Sequence, residues 1–236
     1  MNIVAIDKSS HRDIKISQDK TFAKAKQQNF TLLQAHEFFV AASYYPIVFI
    51  KDIETGELHP IALFGLQENE NLFFDETGWK GYTPAALRAH PFTLAPKSHG
   101  SLLSLCIDTN SPLVSSEAGE SLFDHKGEET AYLTQVKEFM STLISQTPAT
   151  EAFTQHLLNK NLLQPFSFSV SAEENGQKPY SVSGIYAIDD RTLNSLPDIE
   201  FQELHKRGYL PAIYAHLISL NLMSVLAQKK AAKQKI

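Results

Sequence analysis

The chain has 236 residues, 43% hydrophobic and 20% charged, with a formal net charge of -5. Surface scaling for this length buries about 70% of the unfolded surface, enough for a core without disulfides or structural metals. The composition excludes a disordered chain, and the acidic balance argues against a general nucleic-acid binder, which needs concentrated positive charge.

The opening stretch, MNIVAIDKSSHRD, has one short apolar run with no basic region before it. It does not read as a signal peptide, so the expected compartment is the cytoplasm, with leaderless export left open. No segment approaches the roughly 20 apolar residues that a bilayer requires, so no transmembrane segment is expected. The spacing of Thr31 and Gln34, followed by Leu33, Phe38 and Ala41 near helical period, predicts a helix over 32–44 that Pro46 stops. PIVFIKD and HPIALFGL, joined by the turn IETGE with Gly56, predict a β-hairpin whose near-continuous apolar strands are covered on both faces. NLFFD is expected to add a third strand.

Thr83 and Pro84 suit the start of a short helix over PAALRAH, which Pro91 must end. SLLSLCID reads as a buried strand carrying the lone cysteine, Cys106, as a core thiol. Residues 127–146 carry apolar positions at helical spacing, and Pro148 is expected to open a second helix. PFSFSVS and YSVSGIYAI alternate around the polar turn AEENGQKP and form a second hairpin. Asp189 or Asp190 caps a turn, a helix follows to Gly208, and PAIYAHLISLNLMSVLAQ is expected to be a single closing helix. The lysines of QKKAAKQKI read as a solvated helix end, with an anionic membrane or acidic partner as the alternative. Antiparallel hairpins with helices grouped in the middle and C-terminal parts predict an α+β fold. The expected organisation is an N-terminal extension over 1–28, a single domain over 29–227 and a Lys-rich tail over 228–236.

Few residues point to chemistry. No HExxH, HxH or CxxC spacing, no GxSxG elbow and no glycine-rich phosphate loop occurs, so neither a metal ligand set nor a cofactor is expected. His216 sits in an apolar helix and reads as a core histidine. The remaining candidates are Trp79, Tyr82, Arg88 and Asp108, with His90 nearby. Arg88 on a short helix can bind a carboxylate or phosphate, and Trp79 with Tyr82 can wall a ligand. Asp108 ends a strand, where carboxylates often project into clefts. The alternative is an internal Arg88–Asp108 ion pair with Trp79 as core filling.

YYPIVFI, ALFGL, NLFFDETGWKGYTPAALRAHPF, LCID, SLFDHKGEET, VSGIYAIDDRTLNSLP and GYLPAIYAHLISL run in an order that resembles SapC-like proteins, bacterial proteins named after a surface-layer locus. The resemblance spans about residues 29 to 227. It carries over no catalytic residue, and His90 stands where an aromatic residue is commoner. It implies a binding or accessory protein for a small molecule or peptide, with halogenase-like or cupin-like proteins as possible partners. An enzyme working with a flavin- or iron-dependent partner and a surface-layer component are the alternatives it leaves.

Overall fold

The structure is a computed structural model that describes residues 2–18, 21–96, 103–170 and 180–233. In chain order the first elements are β1 (Ile3–Ala5), β2 (Lys15–Ile16), β3 (Phe30–Leu32), α1 (Phe38–Ala41), β4 (Ile47–Lys51) and β5 (Leu58–Leu63). Then come β6 (Phe74–Asp75), β7 (Gly78–Trp79), α2 (Ala85–Arg88), β8 (Phe92–Pro96), β9 (Leu103–Asp108), β10 (Val114–Ser115) and β11 (Glu120–Ser121). The last are α3 (Ala131–Asn159), β12 (Leu163–Val170), β13 (Tyr180–Ile188), α4 (Asp190–Asn194), α5 (Asp198–Lys206), α6 (Leu210–Ser219) and α7 (Leu222–Lys233). The fold is α+β with antiparallel sheets. The chain divides into two compact units, Met1–Thr21 with Ala85–Ser145, and Phe22–Pro84 with Gln146–Ile236.

In the first unit β9 is the centre of a three-stranded sheet, with Ile3 opposite Asp108 on one side and Phe92 opposite Ile107 on the other. The first 21 residues, read from sequence as part of an extension, thus supply strands. A second small sheet pairs β2 with β10 and β11. Leu133 and Met140 on the first half of α3 join Ile16, Phe92, Ile107 and Leu122 in one core. The helix starts where the Thr130 hydroxyl accepts the Leu133 N–H at 3.3 Å, a side-chain cap. Cys106 is buried in this unit.

The second unit is built on a five-stranded antiparallel sheet in the order β12-β13-β4-β5-β3. Ile47, Val48 and Phe49 are fully buried, so β4 is covered on both faces, as its unbroken apolar run predicts. The hairpin turns at Gly56, whose φ of 75° favours glycine. The β12–β13 hairpin is present, with a register shift between Phe166 and Phe168 opposite Gly184; its turn, 172–179, lies outside the described residues. The Asp189 carboxylate caps α4 by accepting the Thr192 N–H at 3.1 Å.

Several local expectations give way to tertiary packing. Phe30–Leu32 is strand, paired to Leu63–Ile61, because the sheet edge overrides the helical spacing. The capping box forms later, with Gln34 as cap and Glu37 as its partner, and opens a 3-10 turn, Ala35–Glu37, that runs into α1. NLFFD does not extend the large sheet. Among the described residues Phe74–Asp75 pairs with Gly78–Trp79 alone, because the Asp75 carboxylate accepts the Thr77 N–H at 2.7 Å and closes a tight turn.

Pro148 lies inside α3 and does not divide it. Gln34 donates to the Thr147 hydroxyl and accepts from that of Thr150, and with Phe153 and Leu157 fully buried beyond them these bonds hold the helix past a missing hydrogen bond. Pro148→Ala restores that bond and is expected to raise stability by about 1–3 kcal/mol in urea unfolding. A loss of stability would show that the proline fits the native bend.

The closing stretch is two helices broken at Leu220–Asn221, not one. By length and composition Leu210–Lys233 is apolar enough to cross a membrane, against the sequence expectation, since polar residues interrupt the run without lowering its average enough. Its inward side carries His216, Ser219 and Lys230, all buried and polar.

Candidate functional site

The four sequence candidates fall in different units. In the first unit Arg88 ends α2, exposed, with its guanidinium 5.3 Å from the centre of the Phe139 ring. Asp108 is buried at the end of β9 and accepts the backbone N–H groups of Asn2 at 2.9 Å and Asn110 at 3.3 Å. His90 Nε2 lies 2.9 Å from the Ser111 hydroxyl.

In the second unit the Trp79 indole N–H donates to the Tyr82 carbonyl at 3.1 Å, and its ring packs on Phe64 at 4.7 Å and Tyr45 at 5.8 Å. The Tyr45 hydroxyl donates to the same carbonyl at 2.6 Å, and burial among these rings pushes the Tyr45 pKa well above its ordinary value. The Tyr82 hydroxyl donates to Glu37 at 2.7 Å, and the other Glu37 oxygen accepts the Gln34 N–H at 3.0 Å. These aromatics therefore buttress the segment 34–39 from behind.

On that segment lies a slot of about 270 Å³ that the sequence reading did not anticipate. Thr150 donates to the Gln34 side chain at 2.7 Å and accepts the Ala35 N–H at 3.0 Å, fixing Ala35, His36 and Phe39 across from Ala149 and Phe153 on α3. The opposite lip is a chain reversal. Tyr209 N–H reaches back to the Leu204 carbonyl at 3.0 Å, and Gly208 takes a φ of 72°, which closes α5 in a Schellman turn. The next helix starts at once, with Pro211 in its first turn.

The reversal sets Arg207 and Tyr209 on the slot wall. Tyr209 packs edge-on against Phe153 at 5.2 Å, while Phe39 on the other lip is 79% exposed. Small residues, Ala35, Ala149, Gly208 and Ala212, leave the space between these rings open. Arg207 Nε donates to Glu203 at 3.0 Å. That bond, with a smaller contribution from the Tyr209 hydroxyl, raises the guanidinium pKa above its ordinary value, so the group stays cationic. Behind Tyr209, burial holds the His156 pKa below its ordinary value.

A family model for SapC matches residues 6–226. The chain belongs to the SapC family. No curated protein and no solved structure matches it. In this SapC chain the string GYLPAIYAHLISL, quoted above as a family resemblance, builds one side of the slot from Gly208, Tyr209, Pro211 and Ala212. A glycine placed just past a predicted helix and just before a proline was the available signal. Phe39 gave none, because its exposure depends on the buried Phe38 facing the other way.

Among the described residues, two further clefts are more polar or less enclosed. A cleft of about 560 Å³ in the second unit is edged by Asp189 and Asp190, and Asp189 is already engaged as the α4 cap. A cleft of about 650 Å³ in the first unit is edged by Arg12, Lys15, Asp13 and Asp124, which mix both charges. Among the described residues, no three His, Cys, Asp or Glu side chains gather as a metal site requires.

Proposed function

We propose that this SapC protein is a binding or accessory protein for a small molecule or peptide, and that its ligand sits in the slot between segment 35–39 and the Gly208 reversal. One observation carries the reading. A recess sized for one ring is walled by Phe39, Phe153 and Tyr209, floored by small residues, and open to solvent beside an exposed phenylalanine. Ligand burial would cover Phe39, which the folded chain leaves in water at a cost that scales with its apolar area.

A fragment library screened by thermal shift tests this. Fragments that raise the Tm of the wild type are expected to lose the effect in Ala212→Met, whose longer side chain fills the slot. Retention of those shifts in the plugged variant would place binding elsewhere and overturn the assignment.

A further inference from the structure

We infer that the slot recognises an aromatic ring bearing a carboxylate, with the ring between Phe39 and Tyr209 and the carboxylate on Arg207. The inference rests on the binding reading above and names the chemistry of its ligand.

Three features of the wall select this chemistry. The first is shape. Aromatic rings stand on both sides of a floor of alanines and a glycine, and a Cβ added at Gly208 would meet nothing within 4 Å. A flat group fits that space, and offset or edge contacts between rings add to simple apolar burial. The second is charge. Among the described residues Arg207 is the one permanently charged residue on the wall, His36 is the other basic one, and no carboxylate lines it. Glu203 does not line the slot; it holds Arg207 from the side through Nε, and the Tyr209 hydroxyl also acts on the guanidinium, so the planar fork is fixed beside the Tyr209 ring at the slot wall, the group that can pair with a carboxylate. The third is support. Lys160 lies 3.2 Å from Glu200 and 3.6 Å from Glu203, so the carboxylate that orients Arg207 is itself held in place. The result is a positioned guanidinium at the edge of an aromatic recess, a donor arrangement that suits an anion attached to a ring.

A free aromatic acid and the C-terminal aromatic residue of a peptide share this chemistry. Four probes separate the possibilities: N-acetyl-phenylalanine, its C-terminal amide, N-acetyl-leucine, and the peptide Ala-Ala-Ala-Phe with a free carboxylate. Each is titrated into ¹⁵N-labelled full-length protein, following the amide signals of Gly208, Tyr209 and Ala212. N-acetyl-phenylalanine is expected to shift these signals. The amide, N-acetyl-leucine, and N-acetyl-phenylalanine against Arg207→Gln or Phe39→Ala are each expected to bind at least 10-fold more weakly. Both substitutions are at exposed positions, so the variants are expected to fold.

If the peptide binds as tightly as the acid, the source is a peptide C-terminus; tenfold weaker binding assigns a free acid. Equal binding of acid and amide at the slot would overturn the carboxylate inference while leaving the slot as a binding place. Equal binding of the leucine analogue would overturn the aromatic part in the same way. If no probe moves these signals, the aromatic acid is the wrong class, and the fragment screen against Ala212→Met decides separately whether the slot binds anything.

Discussion

Lowering the pH from 6.5 toward 3 is expected to remove on the order of 4 kcal/mol of stability through a single side chain, His216. Its imidazole is fully buried on α6, and Nε2 accepts the Ile188 N–H at 2.9 Å, so the native ring is neutral with its proton on Nδ1. Beside it the Ser219 hydroxyl accepts the Ile47 N–H at 2.9 Å, so α6 supplies acceptors to β13 and β4 where the two strands do not pair with each other. Burial pushes the His216 pKa down to about 3 from 6.5, opposed weakly by the Ile47 backbone. Below pH 6.5 the unfolded chain takes up a proton here and the folded chain does not, so stability falls as pH falls. The loss is about 1.4 kcal/mol per pH unit through the window and ends near pH 3; above 6.5 the group contributes no slope. Urea unfolding at a series of pH values checks this, with His216→Gln as the comparison. The variant is expected to be less stable at pH 7 and to lack this part of the slope. Parallel pH profiles for the two proteins would mean that His216 does not stay neutral in the fold.

The second large effect concerns the C-terminal lysines, which the sequence suggests are solvated. Lys230 is only 2% exposed and its ammonium meets Glu70 at 2.7 Å. Lys229 lies over the Phe73 ring at 5.0 Å, and Lys233 donates to the Asn71 carbonyl at 3.1 Å. Lys235 is outside the described residues. Three lysines thus bind α7 to the loop 70–73, and Glu70 secures that loop further by accepting the Leu66 N–H at 2.9 Å. Glu70→Ala removes the carboxylate that meets a buried cation and is expected to cost about 3–5 kcal/mol. Lys230→Met removes the charge and keeps the shape, so it should cost distinctly less. Equal losses in urea unfolding, or a loss below about 1 kcal/mol for Glu70→Ala, would contradict a buried pair.

Much of the fold is legible in the sequence where one physical signal dominates. The β4–β5 hairpin follows from two apolar runs around a glycine turn, and α4 from an aspartate three residues ahead of the threonine whose N–H it accepts. Legibility fails where distant groups decide. Nothing local to Thr31 announces that it will lie opposite Ala62 in a strand, and nothing local to Pro148 announces Thr150's bonds to segment 34–35. Lys230 looks solvated until Glu70, 160 residues away, is placed beside it. The candidate site shows the same division. Trp79 and Tyr82 stand out by residue type, yet their polar ends are engaged inside the unit and support the slot wall from behind. The slot itself joins α1, α3 and the reversal at Gly208, an assembly that no short stretch of sequence contains.

Crystals of the full chain soaked with a fragment library provide the most direct measurement of the central claim. Ring-shaped density is expected between Phe39 and Tyr209, with an anionic substituent turned toward Arg207. Fragments bound reproducibly elsewhere, with this recess empty throughout, would contradict it.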